Sequence, residues 1–559
     1  MQGEVDMDEF GCKTYRVEMR DGVRLATHVH FPEGSGPWPV IFSRSPYPGM
    51  LPFWHEQAKF WTRHGYVFVI QECRGTGASE GEWVPFAHEE QDGLDSLGWL
   101  VRQPWMDGNA ATYGSSYCGV VQWCMADRLP PEVKTMCIGF TGIERYRQNY
   151  MNGMFRHDIY TSWALGNSGV PGAARRPGLY REALAVRPHV EMDERLFGRR
   201  LPWYRDWVTE VSPDSPYWRN GFWAELKEKP VKTRVPVMMT AGWFDHNLEA
   251  SVISFDKLLE DVRARSALII GPWIHTEGVS GDLEYPGHDR FGPRQRDAAL
   301  AWFNHHLKGM DPELAPGIQT YIIRENRWQA WTGGIGAGGL RAFHLHPQPV
   351  DAAARLLSTE KAAEPSSVSY RYDPDNPVPS RGGAAVMHYL TGDPDAVPPA
   401  SVVQPPTGAR ADVINFVSEP LAEDLRITGR IRARLFVRSD AEDTAFTVQV
   451  MEVLPDGKAV NIRDGITSLA YRNGATVPIR YTPGDVVEAV IELWPITWTV
   501  KRGSRIRVDV SSSDFPAYHV HPNIAGTWAL IADTRAARQT IHLGGMYDSR
   551  IEFPVVSDK

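Results

Sequence analysis

The segment Asn109-Ala-Ala-Thr-Tyr-Gly-Ser-Ser-Tyr-Cys-Gly-Val-Val-Gln-Trp123 carries the most chemistry in the chain. Its first residues read as a short strand, its centre is Gly114-Ser115-Ser116-Tyr117-Cys118-Gly119, and a helix-like run follows at once. This is a G-x-S-x-x-G variant of the nucleophile elbow, a turn so sharp that the positions flanking the serine need small residues. Such a turn lifts the Ser116 hydroxyl to the C-terminal edge of a sheet, at a helix N-terminus, and aims the Tyr117 N–H at a developing oxyanion. Ser115 is the neighbouring alternative, and the elbow register favours Ser116. A nucleophilic serine needs a base, and the base needs an orienting carboxylate, which follow in the order Ser, acid, His on loops after later strands. The apolar run 237–241 ends in Gly242-Trp-Phe-Asp-His246, which puts Asp245 at a strand end. The run 268–271 leads into Gly271-Pro-Trp-Ile-His275, which puts His275 in the next such loop, where sheet enzymes collect catalytic groups. His246 competes for the role of base but precedes the next strand. Ser116, His275 and Asp245 in these roles would cleave a carboxylic ester or amide through an acyl-enzyme, without metal or cofactor.

Positioning these groups requires a sheet with helices. Residues 14–20 and 23–31 alternate about the turn dipeptide Asp21-Gly22 and read as a hairpin. Apolar strand-like runs at 40–43 and 66–71 alternate with helical spacing at 53–64 and 91–101, the pattern of a mostly parallel α/β sheet. From about residue 143 to 234 the alternation stops. This stretch is rich in Arg, Trp, Tyr and Met, with helical patterns at 149–165 and 179–185, and reads as an inserted helical cap. The α/β pattern resumes at 235, with helices near 248–259 and 296–308. Beyond about residue 317, short β-type runs separated by turns imply an all-β sandwich or jelly roll. The expected organisation is an α/β domain from 1–140 and 235–316, a cap at 141–234 and a β domain at 317–559. The stretch 352–367 reads as a loop.

Composition excludes several classes. The 559 residues are 42% hydrophobic and 23% charged, ordinary for a folded protein. A net charge of -9 is the wrong sign for gripping a nucleic-acid backbone. No apolar run reaches membrane-spanning length. Glu4, Asp6, Asp8 and Glu9 stand where a secretory signal would be basic and then apolar, so the expected location is cytoplasmic. Five cysteines without a C-x-x-C pair read as reduced, buried thiols.

The elbow, Gly-Trp-Phe-Asp245 and Gly-Pro-Trp-Ile-His275 together resemble the CocE/NonD hydrolases, cocaine-esterase-like enzymes related to X-Pro dipeptidyl-peptidases and α-amino acid ester hydrolases. Ser45-Pro-Tyr47, Arg74-Gly-Thr-Gly-Ala-Ser-Glu-Gly81, Gln103-Pro-Trp105 and Ser511-Ser-Ser-Asp-Phe-Pro516 extend the resemblance over nearly the whole chain. It implies an α/β-hydrolase domain, a helical cap and a C-terminal jelly roll. It further implies that the Tyr47 phenol joins the Tyr117 N–H in the oxyanion hole and that Trp163 walls the pocket. Amino acid ester hydrolases place carboxylates just after the catalytic Asp to hold a substrate ammonium. Here those places carry Asn247 and Leu248, which makes Asn247 a substrate-binding residue and argues against free-amine recognition. Glu249, one step further, reads as a solvated first-turn acid.

The remaining constellations are weaker. Gly75-Thr-Gly77 lacks the residues of a nucleotide loop. His305-His306 and His519-Val-His521 have no carboxylate or Cys set to complete a metal site. The expectation is a serine hydrolase acting on a small ester or amide, with no nucleic-acid or membrane partner and a homodimer left open. The rivals are an X-Pro dipeptidyl-peptidase or an amide or β-lactam acylase. From another class, the rival is a non-catalytic carbohydrate-binding protein on a hydrolase scaffold.

Overall fold

The computed structural model describes residues 12–332, 334–336, 338–394 and 396–556. The acidic N-terminal residues discussed above lie outside them. The first sheet is built from β1 (Lys13–Glu18), β2 (Arg24–His30), β3 (Trp38–Ser45), β4 (Val67–Glu72), β5 (Met106–Ser115), β6 (Val133–Gly139), β7 (Val237–Gly242), β8 (Ala267–Gly271), β9 (Gly317–Ile322) and β10 (Arg327–Trp331). Its order is β1-β2-β4-β3-β5-β6-β7-β8-β9-β10. The hairpin β1–β2 and strand β10 are antiparallel, and the pairs from β4 through β9 are parallel. Parallel strands must be covered on both faces. Alternation along β3 serves this need. Ile41 packs with Trp61 and Phe303 on one face, while Val40 and Phe42 pack with Leu97 and Met125 on the other. Helices Leu51–Arg63 and Arg296–Lys308 cover the first face; Glu89–Leu100 and Tyr117–Met125 cover the second.

Between β6 and β7 the chain forms a run of short helices, including His157–Gly166, Leu179–Ala185 and Pro202–Thr209. The single helix expected over 149–165 is interrupted. Tyr150–Met151 and Met154–Phe155 pair as a small hairpin, because Asn152 and Gly153 turn the chain at positive φ.

One boundary and one loop assignment are corrected. Strand β9 was expected to open the β domain; it pairs parallel with β8, and β10 pairs with it in turn, so the mixed sheet runs to Trp331. The intervening helix Arg296–Lys308 makes the connection a strand–helix–strand crossover of the first domain. The stretch 352–367 is not a loop throughout: Ala354–Ser358 is a strand that pairs parallel with Ile414–Ser418.

From Gly339 to Val555 the described residues form an all-β region, a separate hydrogen-bonded system of 13 strands. It supports the segment between β6 and β7 through backbone bonds: His157 N donates to Ala517 O at 3.1 Å, Asp158 N to Pro516 O at 2.7 Å and Ser468 N to Asn152 O at 3.1 Å. All five cysteines are buried and unpaired with one another. Among the described residues no helix is long and apolar enough to cross a membrane.

Candidate active site

Strand β5 ends at Ser115, helix Tyr117–Met125 starts at once, and Ser116 between them is held at φ 59° and ψ −126°. A non-glycine residue in this region is strained and persists only where its surroundings over-determine it. They do so sterically. A Cβ on Gly119 would stand 2.5 Å from Thr141 Cγ2, and one on Gly114 would stand 2.7 Å from Cys118 Cβ. The chain can therefore make this turn only with glycine at both positions. Ser116 N donates to Gly139 O on β6 at 2.9 Å, which ties the turn to the neighbouring strand.

Asp245 and His275 stand just past the ends of the adjacent strands β7 and β8. His275 Nε2 is 2.9 Å from Ser116 Oγ, and His275 Nδ1 is 2.8 Å from Asp245 Oδ1. With the Nδ1 proton donated to the carboxylate, Nε2 is free to accept from the serine. The three residues read from sequence thus meet although 159 positions separate Ser116 from His275. Ser115 does not compete. Its hydroxyl donates to Glu277 Oε1 at 2.5 Å. His246 does not replace His275 either. It is buried, its ring lies 4.3 Å from that of His275, and burial drives its pKa well below the usual imidazole range.

As the first residue of its helix, Tyr117 has an N–H without an intrahelical acceptor, available beside Ser116. Its side chain anchors it. The phenol donates to Glu89 Oε1 at 2.8 Å and accepts from Phe86 N at 2.8 Å, while Glu89 pairs with Arg44 at 2.8 Å. Tyr47, after β3, lines the same cavity as Ser116 and His275. Its phenol oxygen accepts from Trp163 Nε1 at 3.2 Å. Burial raises the Tyr47 pKa, so the hydroxyl keeps its proton at neutral pH.

The cavity is narrow, and Trp163 and Asn247 are among the residues that line it. Asn247 Nδ2 donates to Phe140 O at 2.9 Å, and its Oδ1 is buried without a partner. Among the described residues no acidic side chain lines the cavity. Glu249 overturns its expectation as a solvated acid. It is 2% exposed and pairs with Arg430 of the β region at 2.7 Å and with Arg147 at 3.5 Å. It faces a different cavity, so no ammonium near Ser116 can use it. A roomier cavity of about 350 Å³ lies in the β region, with Ser116 not in its wall, where Arg507 and Asp509 pair with each other at 2.7 Å. Sequence reasoning missed Glu277, Glu89 and the arginine Arg145, which also lines the Ser116 cavity.

Residues 21–277 match the X-Pro dipeptidyl-peptidase (S15) family, and residues 350–552 match the X-Pro dipeptidyl-peptidase C-terminal non-catalytic domain. Over 97% of both chains, the sequence is 32% identical to cocaine esterase from a Rhodococcus species. Two solved structures share the fold at 22% identity. An aminopeptidase from the marine sediment archaeon Thaumarchaeota archaeon superposes with a TM-score of 0.84, covering 100% of this chain and 98% of that one. An α-amino acid ester hydrolase superposes with a TM-score of 0.79, covering 99% and 98%. By its elbow, its strand-end Asp and His and its likeness over almost its full length to cocaine esterase, the chain belongs to the CocE/NonD family of hydrolases.

Proposed function

We propose that Ser116, His275 and Asp245 form the catalytic triad of this serine hydrolase, and that it cleaves carboxylic esters through an acyl-enzyme. What carries the reading is the continuous hydrogen-bond chain from Ser116 through His275 to Asp245 at a strained elbow. Ser116 Oγ attacks the substrate carbonyl carbon as His275 Nε2 takes its proton, and Asp245 stabilises the imidazolium. The Tyr117 N–H and the Tyr47 hydroxyl donate to the oxygen as it becomes negative. The tetrahedral intermediate collapses and the C–O bond to the leaving alcohol breaks, with His275 returning the proton to that alcohol. Water then attacks the acyl-serine with His275 again as base, releasing the acid and restoring Ser116.

The architecture we assign is an α/β-hydrolase domain, a helical cap between β6 and β7 and a C-terminal jelly roll. Five buried cysteines, none in a disulfide, fit a reducing, cytoplasmic setting. The peptidase alternative requires a counter-ion for a substrate amine. The absence of acids from the cavity wall and the engagement of Glu249 with Arg430 favour the ester reading.

The test compares Ser116→Ala with the wild type on p-nitrophenyl acyl esters and on Xaa-Pro-nitroanilides. The reading requires ester turnover far above anilide turnover. Loss of Ser116 should cost at least about three orders of magnitude in kcat. Anilide turnover equal to or above ester turnover would favour the peptidase.

A further inference from the structure

Arg145 is the first residue of a short helix, Arg145–Asn149, in the cap segment. Its guanidinium carbon lies 4.1 Å from the ring centroid of Trp207, 4.5 Å from Tyr160 and 5.4 Å from Phe86. Rings recover part of the cost of removing a cation from water, but they offer no in-plane acceptor to the five N–H donors of a guanidinium. Among the described residues no carboxylate pairs with Arg145, and its Nε is buried without a partner. Arg44 and Arg507, both more deeply buried, have carboxylate partners, Glu89 at 2.8 Å and Asp509 at 2.7 Å, whereas Arg156 and Arg463 resemble Arg145 in having an unpartnered Nε and no carboxylate among the described residues. An unpaired charge in such a place is costly unless a partner arrives.

The place is informative. Arg145 lines the cavity that holds Ser116, His275 and Tyr47. Gln148, three residues on and therefore on the same helix face, lines it too. Gln148 is 2% exposed, and none of the described residues bonds its side-chain amide. Two donor groups without protein acceptors thus share one wall of a cavity that has no acidic residue. A planar guanidinium matches a carboxylate with two parallel hydrogen bonds. Burial among the rings also weakens the hold of Arg145 on its proton, which a bound anion would restore.

We propose that Arg145, assisted by Gln148, binds a carboxylate on the substrate, so that the preferred substrates are esters bearing a second, ionised carboxyl group, such as half-esters of dicarboxylic acids. The inference rests on the serine esterase reading above.

The experiment compares kcat/KM within two matched pairs of substrates. In the acyl pair, p-nitrophenyl hydrogen adipate is set against p-nitrophenyl hexanoate. In the alcohol pair, 4-acetoxybenzoate is set against 4-methylphenyl acetate. The quantity read is the carboxylate-to-neutral ratio in wild type, Arg145→Met and Arg145→Lys, since intrinsic reactivity cancels between variants. In at least one pair Arg145→Met should lower the ratio by about tenfold or more, the scale of a charge-assisted bond, with Arg145→Lys in between. The pair that responds tells which half of the ester carries the carboxylate. A ratio unchanged in both pairs, in a variant that still reacts with a fluorophosphonate, overturns the proposal. If Arg145→Met does not fold, product inhibition of the wild type reads the same preference. Adipate is compared with hexanoate and 4-hydroxybenzoate with 4-methylphenol, and equal inhibition within both comparisons overturns it. A wild type that hydrolyses neither neutral ester and resists fluorophosphonate would instead sink the esterase reading.

Discussion

Trp163 Nε1 donates a hydrogen bond to the Tyr47 phenol oxygen at 3.2 Å. A phenol that accepts through its lone pair keeps its own proton for another acceptor, and the cavity in front of Tyr47 is where the substrate carbonyl oxygen would lie. The segment between β6 and β7 thus holds a donor that follows strand β3 of the sheet.

Tyr47→Phe removes that donor and keeps the ring. Losing one oxyanion donor should lower kcat by about a hundred- to a thousandfold with KM little changed. Trp163→Phe, which removes only the bond that orients Tyr47, should cost roughly two- to tenfold, the scale of one neutral hydrogen bond. Steady-state kinetics and melting temperatures of both variants check this. Equal losses in the two, or an unchanged kcat in Tyr47→Phe, would take Tyr47 out of the oxyanion hole.

The pH dependence follows from which groups can titrate. General-base catalysis requires a neutral base, so kcat/KM should rise with pH toward a plateau. Burial holds the adjacent His246 well below the usual imidazole range, so it is already neutral and adds no second step. The raised pKa of Tyr47 means that its proton is lost only well into the alkaline range, so no decline should appear by about pH 9. A profile from about pH 5 to 9 with a two-proton slope, or one that falls before its upper end, would contradict this assignment.

Glu249→Gln should lower the melting temperature. It leaves Arg430, 30% exposed, without its 2.7 Å partner. Removing one member of a fully buried pair costs roughly 3–5 kcal/mol, and the exposure of Arg430 reduces that to about 2 kcal/mol. Calorimetry reads the loss. A melting temperature equal to that of the wild type would mean that the pair is not formed.

Activity should withstand EDTA. Asp245, His246 and His275 lie close enough together to resemble a metal-binding group, but His275 spends both ring nitrogens on Ser116 and Asp245. Loss of esterase activity on chelation, restored by a divalent ion, would reverse this.

The elbow was legible because its spacing encodes local sterics. Gly114 and Gly119 are required by contacts within a few residues of the turn and at the next strand. Asp245 and His275 were legible because each follows an apolar strand-like run. What the sequence hid depends on partners far along the chain. Ser115 finds Glu277 162 residues away, and Glu249 finds Arg430 181 residues away in the other domain. No local pattern carries such pairings. Arg145 was hidden for the opposite reason, since its mark is a missing partner. The misplaced boundary at residue 317 has another cause: a buried parallel strand such as β9 has the same apolar composition as a sandwich strand. Only the pairing of β9 with β8 distinguishes the two.

The central claim is that Ser116 is the residue that becomes acylated. Reacting the protein with a fluorophosphonate and locating the adduct by peptide mass spectrometry tests it most directly. The account predicts one stoichiometric adduct on Ser116, and none in His275→Ala, which lacks the base at 2.9 Å. An adduct on Ser115, or no adduct in an enzyme that still hydrolyses esters, would contradict it.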